Sequence, residues 1–198
     1  IEDSLKKLKT DYIDLMLLHQ PFGDYYGAWR ALEELYDQGK LKAIGISNFY
    51  PDRMIDLCSF SRIKPMVNQI ECHPFDQQIE AQKWLDKYNV VTEAWAPFAE
   101  GKGGLFTNST IAAIGKKYNK SVAQVVLRWE IQRGIVVIPK SVHADRMKQN
   151  FEVFDFNLTE DDMNTIAGLD EKKSSFFSHQ DLSTVEWFME IIGKKKKE

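Results

Sequence analysis

The sequence has little cysteine, no long hydrophobic run, no surplus of basic charge and no glycine-rich nucleotide fingerprint. Its two cysteines, Cys58 and Cys72, fall in separate elements without the paired spacing of a metal site. That excludes a disulfide-dense scaffold, and both read as reduced thiols of a cytosolic protein. No apolar stretch approaches the roughly 20 residues that span a bilayer. The charged opening "IEDSLKKLKTD" reads as a helix and not as a signal peptide. With 29 acidic against 26 basic side chains the net charge is −3, which argues against nucleic acid as a partner. The one basic block, Lys194 to Lys197, reads as a solvated tail.

What is present is a soluble globular composition, 43% hydrophobic and 28% charged, over 198 residues. Short apolar strands alternate with amphipathic helices. Strands are predicted at 12–18, 41–47, 64–70, 90–95 and 134–141. Helices are predicted at 25–40, where Gly39 is a natural stop, then about 51–60 and about 79–88. Two more follow the glycine-rich loop "APFAEGKGGLFTN", the second opened by Ser121 with Gln124 in capping-box spacing. Three helices complete the chain, with Thr159 and Ser183 as N-caps of the last two and Glu186 at the box position of the latter.

Five strands, each followed by helix and without hairpin signals, imply βα units and parallel pairing. The fold class is α/β, and a doubly wound sheet or a (β/α)8 barrel both accommodate the pattern. No strand is followed by G-x-G-x-x-G, which argues against a Rossmann site. Polar residues instead recur at successive strand ends: His19, Ser47 with Asn48, Gln69, Trp95, and Lys140 with Ser141. A barrel builds its active face in that way, from the C-terminal ends of several strands.

"DYIDLMLLHQP", "IGISNF", "VNQIECHP", "EAWAPFAEG" and "VIPKSVHADRMKQN", in that order, resemble the motifs of the aldo-keto reductases. The segments "FDFNLTEDDMNTIAGLD" and "FFSHQDLSTVEWF" extend the resemblance to essentially the whole chain and are most similar to the prokaryotic subgroup related to diketogluconate reductases. The resemblance implies a (β/α)8 TIM barrel of one domain that binds NADPH across its strand ends. It implies a cytoplasmic oxidoreductase that reduces small aldehydes or ketones to alcohols, as a monomer or weak oligomer, with no metal, nucleic acid or membrane as partner. By the same resemblance, Ser47, Asn48 and Gln69 hold the nicotinamide carboxamide, an amide that needs both donors and acceptors. Trp95 stacks under the nicotinamide, Lys140, Ser141 and Arg146 hold the 2′-phosphate, and Gln149 and Asn150 meet the adenine edge. His19 corresponds to the histidine beside the substrate carbonyl, where a neutral imidazole donates one hydrogen bond to the oxygen. Substrate contacts are assigned to Gln20 and Phe22 and to the segment 176–187, including Trp187.

The family's other catalytic members, a tyrosine acid, a lysine and an aspartate, precede the histidine-bearing strand. Tyr12, Tyr25, Tyr26, Tyr36 and Lys42 match none of those positions. Barrels of this type take about 250 residues, so the expectation is a barrel incomplete at its N-terminal side, with five of eight strands. The 198-residue chain alone is accordingly expected to be inactive. A rival reading keeps the fold and the NADPH but makes the protein a sensor or accessory subunit without turnover, and another makes it an inactive product that binds no cofactor. Three departures bear on specificity: Gln20 where tryptophan is common, Ala96 where serine is frequent, and Val142 in place of an aromatic. Among the remaining ionisable residues, His73 is expected to bond backbone and Glu71 to make a structural bond or line the mouth. His143 and His179 are expected to be solvated, and Asp14 to need a buried partner.

Overall fold

The computed structural model describes residues 1–195, and Lys196 and Lys197 of the basic block lie outside them. The chain divides into two compact units, one of residues 1–69, 80–91 and 178 onward, the other of 70–79 and 92–177.

The first unit contains α1 (Glu2–Leu8), β1 (Ile13–Leu18), α2 (Tyr25–Asp37), β2 (Leu41–Ser47) and α3 (Pro51–Phe60). The opening residues of β3 (Val67–Glu71), most of α4 (Ile79–Tyr88) and α9 (Leu182–Lys195) also belong to it. β1 and β2 run parallel from Ile13↔Leu41 to Leu18↔Ile46. β2 and β3 are parallel, with Ser47 opposite Gln69. β2 is a near-continuous apolar run with Leu41, Ile44 and Ile46 buried, as expected of a parallel strand covered on both faces. Gly45 is needed there, because a Cβ would stand 2.7 Å from the Val67 carbonyl oxygen. Asp24 caps α2 by accepting from the Gly27 amide at 2.8 Å. The helix ends one turn short of Lys40, in a Schellman motif with Gly39 at φ 72° and the Lys40 amide bonded to the Leu35 carbonyl.

The second unit contains the close of β3, β4 (Val91–Trp95) from Thr92 on, and a 3-10 segment (Ala99–Thr107). α5 (Ser109–Tyr118), α6 (Val122–Gln132), β5 (Val136–Val137), α7 (Ala144–Phe151) and α8 (Glu160–Ala167) follow. β4 and β5 are parallel, with Glu93 opposite Val136. Its core packs Leu105, Ile111, Val126, Leu127, Trp129 and Ile166, all nearly or fully buried. Ser121 with Gln124 and Thr159 with Asp162 form the two capping boxes.

Four expectations need correction. The fifth strand has two paired residues where eight are predicted, since Pro139 brings no amide to a ladder; Lys140 and Ser141 therefore stand in a loop. β3 begins at Val67, two residues past Pro65, and runs through Glu71. α9 is capped by Asp181, whose carboxylate accepts the Thr184 amide at 3.0 Å; Ser183 lies inside the helix and donates to that carboxylate. Asp14 is exposed and solvated, so it needs no buried partner.

Candidate active site

In the first unit, β1 and β2 end side by side and bring four of the sequence-derived residues together. Asn48 follows β2 with φ 63°, a left-handed conformation that asparagine tolerates better than most residues. There its amide nitrogen donates both to the His19 carbonyl and to Ser47 Oγ, each at 3.1 Å. Ser47 Oγ donates to the Gln69 carbonyl at 2.9 Å, and the Asn48 main-chain amide donates to the same oxygen at 2.9 Å. Ser47 and Asn48 are buried, while the His19 side chain is exposed. A buried polar lattice thus fixes the backbone under His19 and leaves the imidazole open to a ligand.

The expectation that His179 is solvated is wrong. It is only 6% exposed and its Nε2 lies 2.8 Å from Gln20 Oε1. Its ring stacks on Phe22 and Phe188, with centroids 5.9 and 5.6 Å apart. Its amide donates to the Tyr50 hydroxyl at 3.2 Å. Gln20 and Phe22, both assigned to substrate, are therefore held by the C-terminal segment. A cavity of about 220 Å³ opens beside them, lined by Asn48, Tyr50, Arg53 and His179 among others. Trp187 is 54% exposed and stacks edge-on against Phe188. The clue to His179 was its setting among aromatics in "FFSHQD" and near Phe188, a pattern that favours burial over solvation.

In the second unit, Lys140, Ser141, Arg146, Gln149 and Asn150 line one cavity of about 570 Å³. Ser121, Val122 and Ala123 at the start of α6, with Phe98 and Phe106, form its other side. The short loop after β5 brings Lys140 and Ser141 to the mouth, and one turn of α7 separates Arg146 from Gln149 and Asn150. Ser141 Oγ accepts the His143 amide at 3.1 Å, which turns the chain into α7. His143 is exposed, as its sequence context implies. Two fixed cations, a hydroxyl, two side-chain amides and two helix starts suit an organic phosphate with an attached base. Phe98 and Phe106, 5.5 Å apart, add an apolar wall that the glycine-rich loop hinted at but did not specify.

Trp95 closes β4 and meets Phe176 edge-on, with ring centroids 5.1 Å apart. Ala96, directly after it, has φ 51°, and Ala99 and Glu100 are also left-handed. Strain of this kind costs on the order of 1–3 kcal/mol per residue and persists where the surroundings over-determine it. His73 is fully buried and accepts the Phe75 and Asp76 amides on Nδ1, the backbone role expected of it. Among the described residues no cluster of His, Cys, Asp and Glu could hold a metal ion, and no helix is long and apolar enough to cross a membrane.

Comparison with known proteins gives the class to which this fold belongs. Residues 1–171 match the model of the aldo/keto reductase family, and the chain belongs to that family. It is 49% identical over 171 residues to the uncharacterised oxidoreductase YtbE of Bacillus subtilis (strain 168), covering 86% of this chain and 60% of that protein. It is 45% identical to the glyoxal reductase of the same organism, covering 86% of this chain and 61% of that protein. Among solved structures it is similar to an aldo-keto reductase from a Medee basin deep-sea metagenome library: TM-score 0.87 and 43% identity, covering 91% of this chain and 68% of that one. It is also similar to a silkworm (Bombyx mori) aldo-keto reductase complexed with NADPH: TM-score 0.84 and 34% identity, over 89% of this chain and 60% of that one. The five parallel strands are thus those of the family's (β/α)8 fold. The chain spans about three fifths of the length of these curated relatives.

Proposed function

We propose that this chain belongs to an NADPH-dependent reductase that converts the carbonyl of small aldehydes or ketones to an alcohol in the cytoplasm, acting as a monomer or weak oligomer. The cavity lined by Lys140, Ser141, Arg146, Gln149 and Asn150 carries the proposal, because two cations around one hydroxyl suit the 2′-phosphate that separates NADPH from NADH. Gln149 and Asn150 offer amides to the adenine edge. In the first unit, Ser47, Asn48 and Gln69 are the proposed polar contacts of the carboxamide, and in the second unit Trp95 supplies a flat ring for stacking. When bound, NADPH would supply the hydride. His19 would orient the acceptor by donating an imidazole N–H to the carbonyl oxygen, and it shares in delivery of the proton. The names of relatives that reduce glyoxal and methylglyoxal support a small carbonyl substrate. Gln20, Phe22 and Trp187 are the proposed substrate contacts. Turnover is assigned to the whole protein; carbonyl-dependent NADPH oxidation is expected to be undetectable with the 198-residue chain alone.

Calorimetric titration with NADPH and NADH tests the cofactor reading. NADPH is expected to bind at least about tenfold tighter, and Arg146→Ala to erase most of that preference, since a hydrogen bond to a charged group contributes about 1.5–3 kcal/mol. Equal affinity for the two dinucleotides in the unsubstituted chain would sink the assignment.

A further inference from the structure

Glu71 ends β3 with its carboxylate almost wholly buried, yet it serves no group in the chemistry proposed above. Three donors converge on it. His73 Nε2 lies 2.9 Å from Oε1, and the Ser175 amide donates to the same oxygen at 2.8 Å. Ser174 Oγ donates to Oε2 at 2.5 Å. Because His73 Nδ1 accepts two backbone amides, its proton sits on Nε2 and points at the carboxylate. The histidine thus holds Glu71, and Glu71 holds the segment around residue 174.

Ser174 passes the constraint on. While its hydroxyl donates a hydrogen bond to Glu71, its oxygen accepts the amides of Phe176 and Phe177, both at 3.0 Å. That fixes the backbone at Phe176, whose ring meets the Trp95 indole edge-on. The other face of the arrangement is held by Lys102 of the 3-10 segment. Its ammonium lies 3.7 Å from the centre of the Phe176 ring and donates to the Ser175 carbonyl at 3.2 Å. Every link lies within the second unit.

We infer that Glu71, acting through Ser174, is a positioning residue for the ring that receives the nicotinamide: it seats Phe176 against Trp95 and so sets the tilt of the indole. The inference rests on the reading that Trp95 stacks under the nicotinamide. A carboxylate is the side chain for this post because all three partners are donors. Glutamine in its place would offer one acceptor oxygen and turn an N–H toward a partner that also donates.

Two measurements on the full chain test it. In the unliganded protein, the tryptophan emission that Trp95→Phe removes is titrated with acrylamide. Ser174→Ala and Glu71→Gln are each expected to raise the quenching constant of that component about twofold, and Ser174→Thr, which keeps the hydroxyl, to leave it near the parent value. In the second measurement, NADPH is compared with adenosine 2′,5′-bisphosphate, which lacks the nicotinamide. Ser174→Ala and Glu71→Gln are expected to weaken NADPH about five- to tenfold, the worth of a well-seated aromatic stack, with the bisphosphate unchanged. Unaltered acrylamide quenching in both variants would overturn the positioning role, and so would equal weakening of both ligands. If quenching shifts as expected while the parent chain binds NADPH no better than the bisphosphate, the nicotinamide reading fails and the inference fails with it. Emission and ligand binding separate the two failures.

Discussion

Glu130 shows how one side chain can oppose the fold it sits in. It lies on α6 with no exposed surface, and neither carboxylate oxygen has a hydrogen-bond partner. Burial pushes its pKa well above the usual carboxylate range, with Arg133 opposing only in part. The folded state therefore favours the protonated form. Since the folded pKa exceeds the unfolded one, stability is greatest below the unfolded pKa and falls as pH rises through the interval between them. Glu130→Gln, which is neutral at every pH, is expected to raise the melting temperature at pH 8 and to change it little at pH 5. A variant less stable than the parent at pH 8 would show that the ionised group has a partner. Residue identity alone could not reveal this, because "VVLRWEIQRG" reads equally well with Glu130 facing water. His179 is the same lesson at the site: a polar letter in a loop turned out to be a buried anchor for Gln20.

At the scale of elements, the capping of α8 is both local and long-range. Asp162 completes the capping box with Thr159 and also accepts from Lys117 Nζ at 2.6 Å and from the Tyr118 hydroxyl. Burial alone would raise its pKa, but the hydrogen bonds from Lys117, Tyr118 and Thr159 outweigh it and hold the group at about 2. A depressed folded pKa contributes stability above the unfolded value, which is lost as pH falls through about 2. Asp162→Asn is expected to cost about 2 kcal/mol at pH 7, from a shift of nearly two pH units at 1.36 kcal/mol each. Thermal melts from pH 7 downward should show parent and variant converging in acid, and a constant difference would argue for lost packing instead. Sequence foretold the Ser121–Gln124 box and the Thr159 cap because such partners lie within one turn, but not Asp162 as the partner of Thr159, and the box expected of Ser183 with Glu186 gives way to the Asp181 cap. It misjudged the fifth strand, because strand length depends on a neighbouring ladder, and β4 pairs only with Val136 and Val137 there.

Across the whole molecule, a ligand that binds the native state alone stabilises it in proportion to the logarithm of its concentration over its Kd. At a hundredfold excess over Kd the gain is about 2.7 kcal/mol. For a chain of this size that corresponds to a rise in melting temperature of about 5–10 °C. NADPH is expected to produce it, and NADH at equal concentration a distinctly smaller one. Identical shifts would count against the roles given to Lys140 and Arg146.

The sequence by itself determined the order and kind of the elements, the parallel βα plan, and the positions where polar residues interrupt apolar strands. These follow from short-range chemistry: hydrophobic period, capping and the conformational limits of proline and glycine. His19, Ser47, Asn48 and Gln69 were legible because each breaks a local pattern at a strand end. Only the tertiary structure decided which of those groups are spent within the protein and which stay open. It buried His179 against Phe22, committed the Asn48 amide to the His19 backbone, and closed a carboxylate from β3 on a serine a hundred residues away. Such partners are set by packing between elements remote in the chain, where no periodicity records them.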